Sequence, residues 1–136
     1  MAAIPFAKYH GLGNDFVLVD AREQPALVED RALAVRILDR HFGIGGDDLV
    51  LVLPSEIADF GMRILTPKGG ELTMCGNGIR CLTRFVRDEE LWRGDALCIE
   101  TAAGIRETRW LDGSSGQGSL LGGFQHAFDA VSDGLL

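Results

Sequence analysis

The sequence predicts a mixed α+β domain, and three observations carry that expectation. Short apolar or alternating runs outnumber stretches with helical spacing. The two clear helical stretches do not alternate strictly with the strands, which argues against a doubly wound sheet. At 136 residues, 46% hydrophobic and 24% charged, the chain has the size and composition of one ordinary globular domain.

The elements follow in order. "FVLVD" (Phe16 to Asp20) is apolar and β-branched and reads as a buried strand after a loop, "HGLGND". A helix is expected from about Asp30 to Phe42, with Glu29 and Asp30 at its positive end and Arg36 and Arg40 toward its negative end. Gly43 is its expected stop. "GIGGDD" is a loop before a second buried strand, "LVLVL" (Leu49 to Leu53). "FGMRILT" (Phe60 to Thr66) alternates as a strand, and "PKGG" is a turn. A second helix should run from Gly76 to about Leu91, with Ile79, Leu82, Phe85 and Val86 on its apolar side. "LCIET" and "RETRWL" read as paired strands around Ala102 to Gly104. Residues 112–136 are rich in glycine and serine, and only "FQHAFDAV" has helix-like spacing. They fit either a terminal strand with a short helix or a loosely ordered end.

Charge and cysteine content narrow the function classes. A formal net charge of −7 argues against nucleic acid and anionic membranes as main partners. There is no transmembrane-length apolar run, and "MAAIPFAKYHG" lacks the regions of a signal peptide, so a cytosolic protein is expected. Cys75, Cys81 and Cys98 are an odd number for a disulfide framework. A helical Cys75-to-Cys81 span would rise about 9 Å, too far for a bridge. His10, His41 and His126 are scattered and form no metal-ligand spacing, so no metal site is expected. The glycine loops fit neither a dinucleotide fingerprint nor a phosphate loop, because both precede strands and no G-x-x-x-x-G-K-[ST] occurs.

"T-M-C-G-N-G-I-R-C" (Thr73 to Cys81) carries the chemistry. It opens a helix, whose N-terminus offers unpaired N–H groups and partial positive charge. Both features favour a thiolate at Cys75. The same N–H groups, approachable beside Gly76 and Gly78, suit a substrate carboxylate. Asn77 adds a neutral donor and acceptor. A thiolate and a bound carboxylate together describe a site for removing a proton next to a carboxyl group. Cys81 and Cys98 read instead as small buried packing residues, and His10 and His41 as hydrogen-bonded scaffold.

Four stretches, "KYHGLGNDFVLVD", "DRHFGIGGDDLVLV", "RILTPKGGELTMCGNGIRCLTRFV" and "IETAAGIRE", resemble the N-terminal half of the diaminopimelate epimerase family in order and spacing. The resemblance runs from about Ile4 to Gly113. It implies a domain at 1–113, a curved sheet wrapped around a central helix, followed by a tail at 114–136. It also implies cofactor-independent interconversion of LL- and meso-diaminopimelate by two cysteines on opposite faces of the substrate, one from each of two similar domains. Cys75 matches the first catalytic cysteine, Gly76 and Asn77 match carboxylate and amine contacts, and Asn14 matches a substrate-binding asparagine. Asp48 and Thr66 occupy two further substrate-contact positions but depart from the family pattern. Thr66 replaces an asparagine, Asp48 stands where glutamine or glycine is common, and Lys68 replaces an aspartate in the turn. The family's second half carries the opposing cysteine, so a homodimer or a partner chain is expected to supply it. Two alternatives remain open: a half-length relative that only binds ligand or assembles, and an isomerase of the same superfamily acting on another substrate.

Overall fold

The computed structural model describes residues 4–109 and 132–135. The first two strands, β1 (Pro5–Gly11) and β2 (Asn14–Asp20), form an antiparallel hairpin with Gly11 opposite Asn14. Its two turn residues, Leu12 and Gly13, have φ of 54° and 85°, the mirror-image geometry whose twist suits a two-residue hairpin. The stretch expected as an open loop is therefore a tight turn, and β1 is a strand the sequence reading did not anticipate. Its buried positions alternate, Ala7, Tyr9 and Gly11, but only Tyr9 is large enough to signal a core face.

The helix expected over Asp30 to Phe42 is the shorter α2 (Arg31–Leu38), preceded by a short helix, α1 (Pro25–Glu29), that the sequence reading did not anticipate. Asp30 caps α2 by accepting the Leu33 N–H at 2.9 Å. The helix ends before the expected stop because Asp39 leaves helical geometry, with ψ of 122°. Its carboxylate accepts the N–H groups of His41 and Phe42 at 2.8 and 2.9 Å. Gly43 then packs against the end of α2, where an added Cβ would lie 2.1 Å from the Arg36 carbonyl oxygen and 2.7 Å from that of Ile37. No side-chain rotation relieves a clash with backbone. Gly43→Ala is expected to lower the free energy of unfolding by about 1–3 kcal/mol, measured by urea denaturation.

Strands β3 (Asp48–Leu53), β4 (Phe60–Leu65) and β6 (Ala96–Thr101) lie where their apolar patterns place them, and β7 (Gly104–Arg109) starts two residues before the expected strand at Arg106, whose end lies outside the described residues. A two-residue β5 (Glu71–Leu72) pairs with β4, and a terminal strand β8 (Ser132–Leu135) pairs antiparallel with β1. The strands form one mixed sheet in the order β7-β6-β4-β3-β2-β1-β8. The helix-like spacing of "FQHAFDAV" and the boundary at 113/114 lie outside the described residues.

α3 (Gly76–Asp88) packs on one face of the sheet, with Ile79, Leu82, Phe85 and Val86 against Phe16, Val50 and Ile64. α1 and α2 cover the other face over Val17, Val19, Leu49 and Leu51. The sheet curls around α3. Tyr9 on β1 donates to Asp88 at 2.5 Å, while Thr108 on β7 shares a 2.8 Å hydrogen bond with Thr83. Strands that far apart in the sheet order reach one helix only if the sheet wraps it. Among the described residues, no helix is long and apolar enough to cross a membrane.

Candidate active site

Strand register brings the separate motifs to one end of the sheet. β2 and β3 run parallel with Phe16 beside Asp48, and β4 runs antiparallel to β3 with Leu65 beside Leu49. The starts of β2 and β3 therefore adjoin the finish of β4. Side chains alternate between faces, and Phe16, Val50 and Ile64 all point toward α3. Asn14, Asp48 and Thr66 each lie two residues from one of these, so they fall on that same face.

α3 begins at this end too. The position a Cβ would take on Gly78 lies 3.4 Å from Cys75 Cβ, 3.5 Å from Ile64 Cδ1 and 3.6 Å from Phe16 Cε1. Cys75 thus sits over the ends of β2 and β4. It is the N-cap residue, in extended geometry (φ −147°, ψ 117°), and its carbonyl accepts the Ile79 N–H at 2.9 Å. Its thiol makes no capping hydrogen bond and is half-buried. The first N–H groups of α3, from Gly76 onward, have no acceptor within the helix. Gly76 is exposed and Asn77 half-buried, so these donors face accessible space. The Arg80 guanidinium folds back to within 3.4 Å of where a Gly76 Cβ would lie, adding positive charge to this turn.

Of the other two cysteines, Cys81 is a buried packing residue, whereas Cys98, expected to be buried too, is only half-buried because β6 alternates and turns Leu97 and Ile99 to the core. Cys81 is fully buried, and burial, with a smaller contribution from Cys75, pushes its thiol far above the ordinary range. Cys98 lies at the opposite end of β4, with its N–H donated to Asp59 at 2.9 Å. All three cysteines are free. The Nδ1 of His10 accepts the Gly13 N–H at 3.4 Å, a long contact within the hairpin, whereas His41 is exposed and only its backbone is held.

Of the residues singled out from the sequence, Asn14 and Asp48 lie at the end of the sheet where Cys75, Gly76 and Asn77 open α3. Asn14 opens β2, half-buried, and makes no side-chain hydrogen bond to the turn among the described residues. Thr66 reaches the same end, but its hydroxyl oxygen accepts the Gly70 N–H at 3.0 Å, leaving its O–H to donate. Asp48 is 9% exposed and has no ion-pair or hydrogen-bond partner for its carboxylate among the described residues. Burial first, and then the charge of Asp47, raises its pKa to about 6. The unfolded chain releases this proton near the ordinary carboxylate value of about 3.9. Stability tied to Asp48 is therefore lost as pH rises from about 4 to about 6 and stays low above that. Asp48→Asn is expected to remove this slope and to stabilise the fold at pH 7 by on the order of 2 kcal/mol. Urea titrations of both proteins between pH 4 and 8 measure the difference.

A set of charged residues behind the site was not read from the sequence. Arg40, expected in a helix, lies just beyond α2 and donates to Asp15 Oδ1 and Oδ2 at 2.8 and 3.1 Å, and to Asp47 Oδ1 at 3.0 Å. Lys8 adds a 2.9 Å contact to Asp15. Together the Arg40 guanidinium and Lys8 hold the Asp15 carboxyl well below the usual carboxylate range, outweighing its partial burial.

A family model described as diaminopimelate epimerase matches residues 6–122. A diaminopimelate epimerase of Moorella thermoacetica is 53% identical over 104 residues, which is 76% of this chain and 37% of the relative. One of Pelotomaculum thermopropionicum is 50% identical over 101 residues, covering 74% and 36%. The match thus spans little more than a third of the length of these relatives. Among solved structures, a phenazine biosynthesis protein of the PhzF family from Bacillus anthracis superposes with a TM-score of 0.71 at 28% identity, over 88% of this chain and 40% of that one. A hydroxyproline epimerase from Agrobacterium vitis shares the fold, with a TM-score of 0.64 at 17% identity, over 82% and 38%. By the extent of the family match and the identity to these relatives, the chain belongs to the diaminopimelate epimerase family.

Proposed function

We propose that this chain supplies one half-site of a cofactor-independent amino-acid epimerase, with LL- and meso-diaminopimelate as the substrate pair. The observation that carries the reading is Cys75, placed at the start of α3 with its thiol uncommitted and with Asn14 and Asp48 on the facing sheet end. The substrate carboxylate lies against the N–H groups of Gly76 and Asn77. Asp48, ionised above about pH 6, and Asn14 take the substrate ammonium. The ionised Cys75 removes the α-proton, and the electron pair left on carbon is stabilised by the hydrogen-bonded carboxylate. A thiol on the opposite face then donates its proton to that carbon, so that one cysteine ends protonated and the other ionised.

Inversion needs that second acid on the far side of the carbon. Cys81 is sealed in the core and Cys98 lies at the wrong end of β4. The opposing thiol therefore comes from outside the described residues. Solvent deuterium tests the reading. LL-diaminopimelate incubated with the protein in D2O should gain deuterium at the α-carbon, with oligomer size measured alongside. No incorporation from diaminopimelate or other amino acids, with Cys75 intact, defeats it. Ligand binding without incorporation instead supports a chain that holds the substrate but does not turn it over.

A further inference from the structure

We infer that Arg40 is a positioning residue that sets the spacing between Asn14 and Asp48 by clamping the acids immediately beside them in the chain. This rests on the proposed half-site but concerns groups that no substrate touches. On adjacent parallel strands, neighbouring residues point to opposite faces. Asn14 and Asp48 fall on the α3 face, so Asp15 and Asp47 fall behind them. One guanidinium bridges the two acids, reaching Asp15 at 2.8 and 3.1 Å and Asp47 at 3.0 Å. The backbones are tied as well. Asp47 N–H donates to the Asp15 carbonyl at 2.8 Å, and Asp15 N–H to the Asp47 carboxylate at 3.1 Å.

The clamp also reaches the loop that leads into Asp48. A Cβ on Gly45, whose φ is 82°, would lie 3.2 Å from Arg40 Cα, so the chain before Asp48 runs directly over the Arg40 backbone. Arg40 is half-exposed, with a side chain 54% accessible, and exposed ion pairs of this kind contribute little to folding. Placement of the reacting groups is more sensitive, since an error of about 1 Å at the reacting groups can cost about a hundredfold in rate. Lys8 separates the two roles. It binds the same Asp15 oxygen at 2.9 Å but does not bridge to the β3 side.

The test compares Arg40→Met, Arg40→Lys and Lys8→Met in the full chain. The readouts are melting temperature, the amide NMR signals of Asn14 and Asp48, and the kcat and KM of α-deuterium incorporation. Arg40→Met is expected to move the Asn14 and Asp48 signals and to lower kcat/KM by about 10- to 100-fold, with a melting shift of only a few degrees. Arg40→Lys, which keeps the charge but loses the planar fork, should recover part of that loss. Lys8→Met should resemble the unaltered protein. Unmoved Asn14 and Asp48 signals in Arg40→Met, or equal effects from Lys8→Met, overturn the clamp. Absence of incorporation in the unaltered chain counts against the proposed epimerase alone, because the NMR comparison still decides for or against Arg40.

Discussion

Cys75→Ala is expected to abolish α-deuterium incorporation, a loss of at least about a thousandfold, because it removes the proposed base. Cys81 is a second thiol on the same helix, and its burial holds it in the neutral form. The fold should be unaffected. Cys75 is half-buried, makes no capping hydrogen bond, and contributes its carbonyl rather than its thiol to the first turn of α3. Cys75→Ala removes only the sulfur and leaves that carbonyl in place. Ligand binding should therefore persist while turnover disappears, since the N–H groups of Gly76 and Asn77 remain. Calorimetric titration with diaminopimelate, beside the exchange assay, measures both. A variant that binds and still exchanges shows that the thiol is not the base.

Cys75→Ser sharpens the same test. Its hydroxyl is far less acidic than a thiol and should not restore exchange, although serine is a stronger helix cap. A serine variant that folds more stably and yet is inactive separates capping from proton transfer. Activity retained with serine would point instead to a role in shape alone.

How much of this was legible in the sequence differs from element to element. The run Leu49 to Leu53 is buried on both faces and flanked by glycine and proline, so its strand character is local and readable. The same holds for Phe60 to Leu65 and for the apolar side of α3. The end of α2 was misplaced because a single carboxylate, Asp39, offers the backbone a better arrangement than another helical turn. β1 was missed because only one large side chain marks its buried face, and β5 because two exposed residues carry no pattern.

The site divides in the same way. Cys75 was legible because its evidence is contiguous: a thiol, two glycines and an amide at a helix start. The company it keeps was not. Asn14, Asp48 and Thr66 share a face only through the parallel pairing of β2 with β3 and the reversal into β4, and a register of that kind is a property of the folded sheet. Before the fold was known, those three residues rested on the family resemblance alone. Arg40 and Asp15 are 25 residues apart, and nothing in the composition of either loop assigns one to the other.

Phe16→Ala is expected to show how the core supports the site. Phe16 is fully buried, lies beside Tyr9 on one side and Asp48 on the other, and brings its ring to the first turn of α3 near Gly78. Removing the ring costs about 3–5 kcal/mol through lost burial and the cavity left behind, against a total stability of about 5–15 kcal/mol for a domain. Leu51→Ala provides the comparison. Leu51 is equally buried but belongs to the core on the α2 face, and its loss costs about 2–5 kcal/mol. If Phe16 holds Cys75 in place, Phe16→Ala speeds alkylation of Cys75 by iodoacetamide more than Leu51→Ala does, once the two rates are compared at equal stability in urea. Equal rates at equal stability mean that the sulfur is reached only through global unfolding, and that the floor beneath it has no part in setting its position.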